Sequence, residues 1–223
     1  MIKQLYSRIS KVSLVMIVGF FISATAANAG GQKSEFLNYD MIIGDKDAPI
    51  EIIEYASTTC PHCATFHKEI LPKLKKKYVE TGKVKIIFRN YVFTNSPFDV
   101  FAASLNRCVS EKKFFPLLGL YFKRQASWIK YKEFSELKPY GKYAALGFAK
   151  GEAIKIAKIA GMKESVAYQC LASTDVLKFL TDGNKLAKEK YDIESTPSVI
   201  VGGKKLDSYS FEAIEEAILA ESK

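Results

Sequence analysis

Residues 50–70 read IEIIEYASTTCPHCATFHKEI, and the fold turns on what surrounds the two cysteines in this stretch. Ile50 to Tyr55 is a nearly continuous apolar run of strand length, the pattern of a strand buried on both faces. Beyond Cys60-Pro61, the apolar residues Phe66, Ile70, Leu74 and Tyr78 recur every fourth position with Leu71 beside them. That spacing lines one stripe of a helix. Pro72 falls inside it and predicts a kink, because proline lacks the N–H and its ring crowds the preceding turn. Thr81-Gly82 ends the helix and Val84 to Phe88 (VKIIF) is the next strand. The unit is β-α-β, and a crossover of this length joins parallel, neighbouring strands.

From about Pro97 to Lys190 every signal is helical: FDVFAASLNRC, FFPLLGLYFKRQ, GKYAALGFAKGEAIKIAKIAG, ESVAYQCL and DVLKFLTDGNKLAKEKY. Strand character returns at Pro197 to Val201. Gly202-Gly203 then gives a two-residue hairpin signal before Lys204 to Leu206. Phe211 to Ala220 closes the chain as an amphipathic helix. The order predicts an α/β protein: a thioredoxin fold made of residues 30–96 and 191–223, interrupted by a helical subdomain at 97–190.

Met1 to Lys11 carries three cations and no acid, Val12 to Ala24 is mostly apolar, and Ala27-Asn28-Ala29 is a small-x-small site. This is the pattern of an export signal cleaved after residue 29. Its apolar core of 13 residues falls short of the roughly 20 needed to span a bilayer. The expectation is an exported, soluble protein. Three of the nine excess positive charges sit in that leader, and the rest are spread along the chain. Even the densest run, Lys73 to Lys77, has the spacing of a solvated helix face, so nothing suggests a nucleic-acid partner.

Three chemistries compete for the CPHC motif. A structural zinc site needs four ligands, but the only histidines are His62 and His67, and His62 sits inside the short loop. No metal is expected. A purely structural disulfide across two residues closes a tiny ring and stabilises little. A redox-active dithiol fits the placement. Pro61 suits the first helical position, which sets Cys60 at the N-cap, facing unpaired N–H groups and the positive end of the helix dipole. The thiolate favoured there is the reactive form. Cys63, one turn in, is the resolving partner. His62 is expected to add a hydrogen bond or charge to the Cys60 sulfur, and His67 to flank the helix without a role. Cys108 and Cys170, 62 residues apart, form either a disulfide or two unpaired buried thiols.

STTCPHCATFH after IEIIEY, a late Thr196-Pro197 before a strand, and the helical run between them resemble the DsbA family of periplasmic thiol-disulfide oxidoreductases. The resemblance covers nearly all of the chain beyond the leader. It implies that Cys60 is the attacking cysteine and Cys63 its buried partner. It implies too that Pro197 is a cis-proline packed against the active pair, with Thr196 in contact with substrate. Glu54 matches a buried acid near Cys63 that takes and returns its proton. The second cysteine pair resembles the alphaproteobacterial branch, where Cys108–Cys170 is a structural disulfide. Threonine before the proline is a departure from the best-known oxidase of the family and the choice of disulfide isomerases.

Three functions are therefore expected in order. The first is a monomeric oxidase that passes the Cys60–Cys63 disulfide to reduced, partly folded exported proteins. It needs no bound cofactor and is reoxidised by a DsbB-like membrane quinone reductase. The second is an isomerase or reductase of the same fold, for which the stretch from Gly30 to Ile50 is too short to hold an oligomerisation module. The third is a non-catalytic peptide-binding chaperone.

Overall fold

The computed structural model describes residues 36–222, so the expected leader lies outside the described residues. Five strands form one sheet in the order β1-β3-β2-β4-β5: β1 Met41–Ile43, β2 Ile50–Ala56, β3 Val84–Asn90, β4 Ser198–Val201 and β5 Lys204–Lys205. β2 and β3 run parallel, with Ile52 opposite Ile86 and Glu54 opposite Phe88, as the β-α-β pattern requires. β4 pairs antiparallel with β2, and Gly202 and Gly203, both at positive φ, turn the chain into β5. β1, antiparallel to β3, was not legible in the sequence.

Period-two alternation sorts the strand side chains onto two faces. Ile50, Ile52, Val84 and Ile86 meet Phe66, Leu71, Leu74 and Tyr78, together with Ile214 and Ile218 of the last helix, α10 (Phe211–Glu221). Ile53, Tyr55, Ile87 and Ile200 meet Ala187 and Ile193 on the other face. Each of these large apolar side chains contributes about 1.5–3 kcal/mol on full burial.

The helical run after Cys60 is α1 (Pro61–Thr65), a π stretch (Phe66–Ile70), α2 (Leu71–Leu74) and a second π stretch (Lys75–Val79). The single kink expected at Pro72 is thus replaced by wide turns on both sides of it. The Leu71 N–H reaches back five residues to the Phe66 carbonyl, which gives the proline ring room.

Between Asn90 and Ser198 the described chain is helical: α3 (Pro97–Arg107), α4 (Glu111–Lys123), α5 (Gln125–Trp128), α6 (Tyr131–Leu137), α7 (Lys142–Ile159), α8 (Glu164–Leu171) and α9 (Thr174–Tyr191). Phe98, Leu105, Leu117, Tyr121, Trp128 and Ile156 form its core. Cys108 and Cys170 are joined in a disulfide between the end of α3 and α8. α9 serves two cores. Val176 and Leu180 pack with Val92 and Ala103, while Ala187 covers the sheet. No described helix is long and apolar enough to cross a membrane.

Candidate active site at the mouth of the first long helix

The sulfur of Cys60 sits where the sequence places it. Cys60 is the N-cap of α1 in an extended conformation, Pro61 occupies the first helical turn, and the Cys63 N–H donates to Cys60 Sγ at 3.3 Å. Both cysteines are free thiols and both are buried, Cys63 fully. The Cys60 thiol donates to the Thr196 carbonyl at 3.2 Å, across a cis Thr196–Pro197 bond that brings the β4 loop onto the motif.

The two thiols titrate in opposite directions. Cys60 is lowered from 9.0 to about 6, first by the hydrogen bond from the Cys63 thiol, with the Thr196 side chain and the backbone N–H groups of Cys63 and His62 adding to it. Cys63 is pushed up, first by burial, then by its hydrogen bond and charge interaction with Cys60, and then by the charge of Glu54. Thr196 Oγ1 is enclosed without a hydrogen-bond partner among the described residues. A thiolate at Cys60 gives that hydroxyl its acceptor.

The hydrogen bond expected from the His62 side chain to Cys60 is not present among the described residues. That side chain makes no hydrogen bond among the described residues; the ring is exposed and its centroid lies 6.2 Å from that of Tyr209. At the second helical position the side chain projects outward from the cap, and only the His62 backbone N–H helps the sulfur. His67, read as a flanking residue, is instead paired. Its Nε2 lies 2.9 and 3.1 Å from the two carboxylate oxygens of Glu54, itself 1 % exposed on β2. The imidazole packs 4.5 Å from the Phe122 ring of α4 and edge-on to Phe88. Glu54 therefore sits on the central strand facing Cys63, and His67 encloses it.

Two further residues hold the motif and carried no signal in the sequence. Asp99 of α3 is fully buried and accepts four hydrogen bonds. Three come from the loop before Cys60: Ser57 Oγ at 2.8 Å, Thr58 N at 2.9 Å and Thr58 Oγ1 at 2.6 Å. The fourth comes from Phe93 N at 2.8 Å. Gln125 Nε2, at the start of α5, donates to the carbonyls of Thr58 and Cys60, each at 2.9 Å. The helical layer thus grips both sides of the 57–60 loop. Phe114, Leu118 and Phe122 of α4 close the apolar floor around Cys60 and Cys63.

The family profile described as Thioredoxin matches residues 37–220. A protein of Rickettsia typhi named as a protein-disulfide oxidoreductase is 30 % identical over 182 residues, which is 81 % of this chain and 61 % of that one. The chain therefore spans about three fifths of the length of this relative. A crystal structure of a protein-disulfide isomerase from Novosphingobium aromaticivorans superposes with a TM-score of 0.71 at 26 % identity, covering 81 % of this chain and 96 % of that one. Wolbachia pipientis alpha-DsbA1 superposes with a TM-score of 0.67 at 27 % identity, covering 81 % and 89 %. A lowered N-cap cysteine, a buried partner, a cis-proline loop and a sheet interrupted by helices coincide with these likenesses, and the chain belongs to the thioredoxin family as one of its DsbA-like members.

Proposed function

We propose that the protein is a thiol-disulfide oxidase that acts on reduced exported proteins in the periplasm. The observation that carries this reading is the Cys60 sulfur at the helix N-cap, receiving the Cys63 N–H at 3.3 Å beside the cis Thr196–Pro197 loop. This setting lowers Cys60 to about 6 while burial raises Cys63. A couple whose attacking sulfur is comfortable as an anion favours its dithiol form and so gives up its disulfide readily.

In the oxidised protein a substrate thiolate attacks Sγ of Cys60. The Cys60–Cys63 bond breaks, its electron pair leaves on Cys63, and a mixed disulfide forms. The buried Cys63 sulfur takes a proton, and the adjacent Glu54–His67 pair is the ionisable group placed to supply it. A second substrate thiolate attacks the substrate sulfur of the mixed disulfide, forming the product disulfide and releasing Cys60 as the stabilised thiolate. The substrate has lost two electrons and the protein holds them as a dithiol. Thr196 and Pro197 border the attacked sulfur and are the proposed backbone contacts for substrate. Residues 30–96 and 191–223 carry the couple, 97–190 form a helical subdomain that shapes its surroundings, and Cys108–Cys170 ties that subdomain together. A DsbB-like membrane quinone reductase would return the dithiol of this monomer to the disulfide.

The test is trapping. Cys63→Ala should accumulate substrate-linked adducts through Cys60 in the exported fraction, and a variant that forms none would end this mechanism. Two observations favour a second reading, isomerase or reductase: threonine precedes the cis-proline, and a similar structure bears the isomerase name. Refolding of a scrambled multi-disulfide substrate separates the two, since an oxidase alone corrects wrong bonds poorly.

A further inference from the structure

The face of the sheet that the dithiol does not use carries a cavity of about 330 Å³ between β2, β3 and α9. Tyr55, Phe179, Leu180 and Leu186 supply its apolar walls, and Arg89, Arg107 and Lys190 surround it with Asp40 as the sole acid of its lining. None of Glu54, Cys60, Cys63, Thr196 and Pro197 lines it. Glu54 and Tyr55 are successive strand residues and point to opposite faces.

The charge balance inside is uneven. Asp40 is already engaged, receiving Arg89 Nε at 2.9 Å and Arg89 Nη2 at 2.6 Å in a two-pronged pair. Arg107 is 2 % exposed and forms no ion pair among the described residues. It lies between the rings of Phe114 and Phe179. Its Nε donates to Asn90 Oδ1 and its Nη1 to the carbonyls of Leu37 and Tyr39, and Nη2 has no acceptor among the described residues. Burial lowers Arg107 to about 10, so it is still a cation at neutral pH. The Asp40 charge opposes this lowering, but that carboxylate is bonded to Arg89 and none is bonded to Arg107 among the described residues. A buried guanidinium so placed favours a further anion within reach. Lys190, exposed and without an ion pair among the described residues, adds a second cation to the lining of the cavity.

We propose that this cavity is a binding site for a small amphipathic carboxylate, with the acid group held between Arg107 and Lys190 and the apolar body lying against Tyr55, Phe179, Leu180 and Leu186. Its volume is at the lower end of ligand pockets, which suits a short acyl or aryl acid rather than a cofactor. The site is separate from the dithiol chemistry and needs no part of it.

The test is calorimetric titration of the intact reduced protein with decanoate below its micelle concentration, alongside decanol and decylamine. Saturable decanoate binding, at least about tenfold tighter than either uncharged or cationic analogue, is expected. Leu186→Glu/Lys190→Glu alters two exposed positions of α9, one wall and one cation. It should weaken decanoate at least about tenfold with an unchanged melting temperature and unchanged thiol-disulfide exchange. Lys190→Ala alone should reproduce part of that loss. Absence of saturable binding, decanol binding as tightly as decanoate, or full affinity in the variants would each overturn the assignment.

Discussion

Replacing Asp99 with asparagine changes one atom 40 residues along the chain from the motif and should loosen it. Burial pushes the Asp99 carboxyl up, toward the neutral form, while four donors favour the anion. The geometry decides between them. Thr58 N–H points at Oδ1 and Phe93 N–H at Oδ2, and neither backbone donor can rotate away. Whichever oxygen becomes an NH2 group then faces an N–H, leaving a buried backbone donor unsatisfied at about 1–3 kcal/mol. The remaining bonds also lose charge assistance, and relief from burying a charge offsets part of this. The net cost is about 2–4 kcal/mol, or a melting temperature lower by about 5–15 °C for a chain of this size. Chemical denaturation of the reduced Asp99→Asn protein at neutral pH measures it. Because the freed segment is Ser57-Thr58, Cys60 should also titrate higher than in the parent. A variant within about 0.5 kcal/mol of the parent, with an unmoved thiol, would mean that the native carboxyl already carries a proton and that the anchor argument is wrong.

Gln125→Met keeps the length of the side chain and removes its two hydrogen bonds to the Thr58 and Cys60 carbonyls. It should cost about 1–3 kcal/mol by denaturant melts and shift the glutathione equilibrium, which a defect confined to packing would leave alone. Cys108→Ala/Cys170→Ala opens a loop with a sequence separation of 62 residues. Chain entropy places the loss at about 4 kcal/mol, and an unchanged unfolding midpoint would show that the bond holds nothing. Cys60 also makes the reduced state pH-dependent. Its folded value, about 6, lies below the unfolded 9.0, so the stabilisation is complete above pH 9 and disappears as pH falls through 6. Within that window the reduced protein should gain about 1.4 kcal/mol per pH unit over Cys60→Ser, and parallel curves for the two would contradict the lowered thiol.

Local chemistry explains what could be read without coordinates. The β-α-β order, the N-cap position of Cys60, the Gly202-Gly203 hairpin and the last helix all rest on spacing within a few residues, and each is present in the fold. β1 escaped because three residues, Met41–Ile43, are too few to show alternation, and its pairing with β3 is made 40-odd positions away. The functional residues that were missed share that property. Asp99 and Gln125 reach the 57–60 loop from helices separated from it by 41 and 65–67 residues, so no local period marks them. His67 looked peripheral because helical spacing from Cys63 says nothing of Glu54, which a parallel strand carries in beside it. His62 differs: adjacency in sequence suggested a hydrogen bond to the sulfur, but the ring is exposed beside Tyr209 and makes none among the described residues.

The central claim concerns one sulfur, and ultraviolet absorbance of the thiolate during an acid titration of the reduced native protein reads it directly, with Cys60→Ser as the blank. Half-ionisation near 6 is the value the helix mouth and the Cys63 thiol imply. Half-ionisation at the ordinary thiol value of 9.0 or above would contradict the account, leaving the fold but not the oxidase.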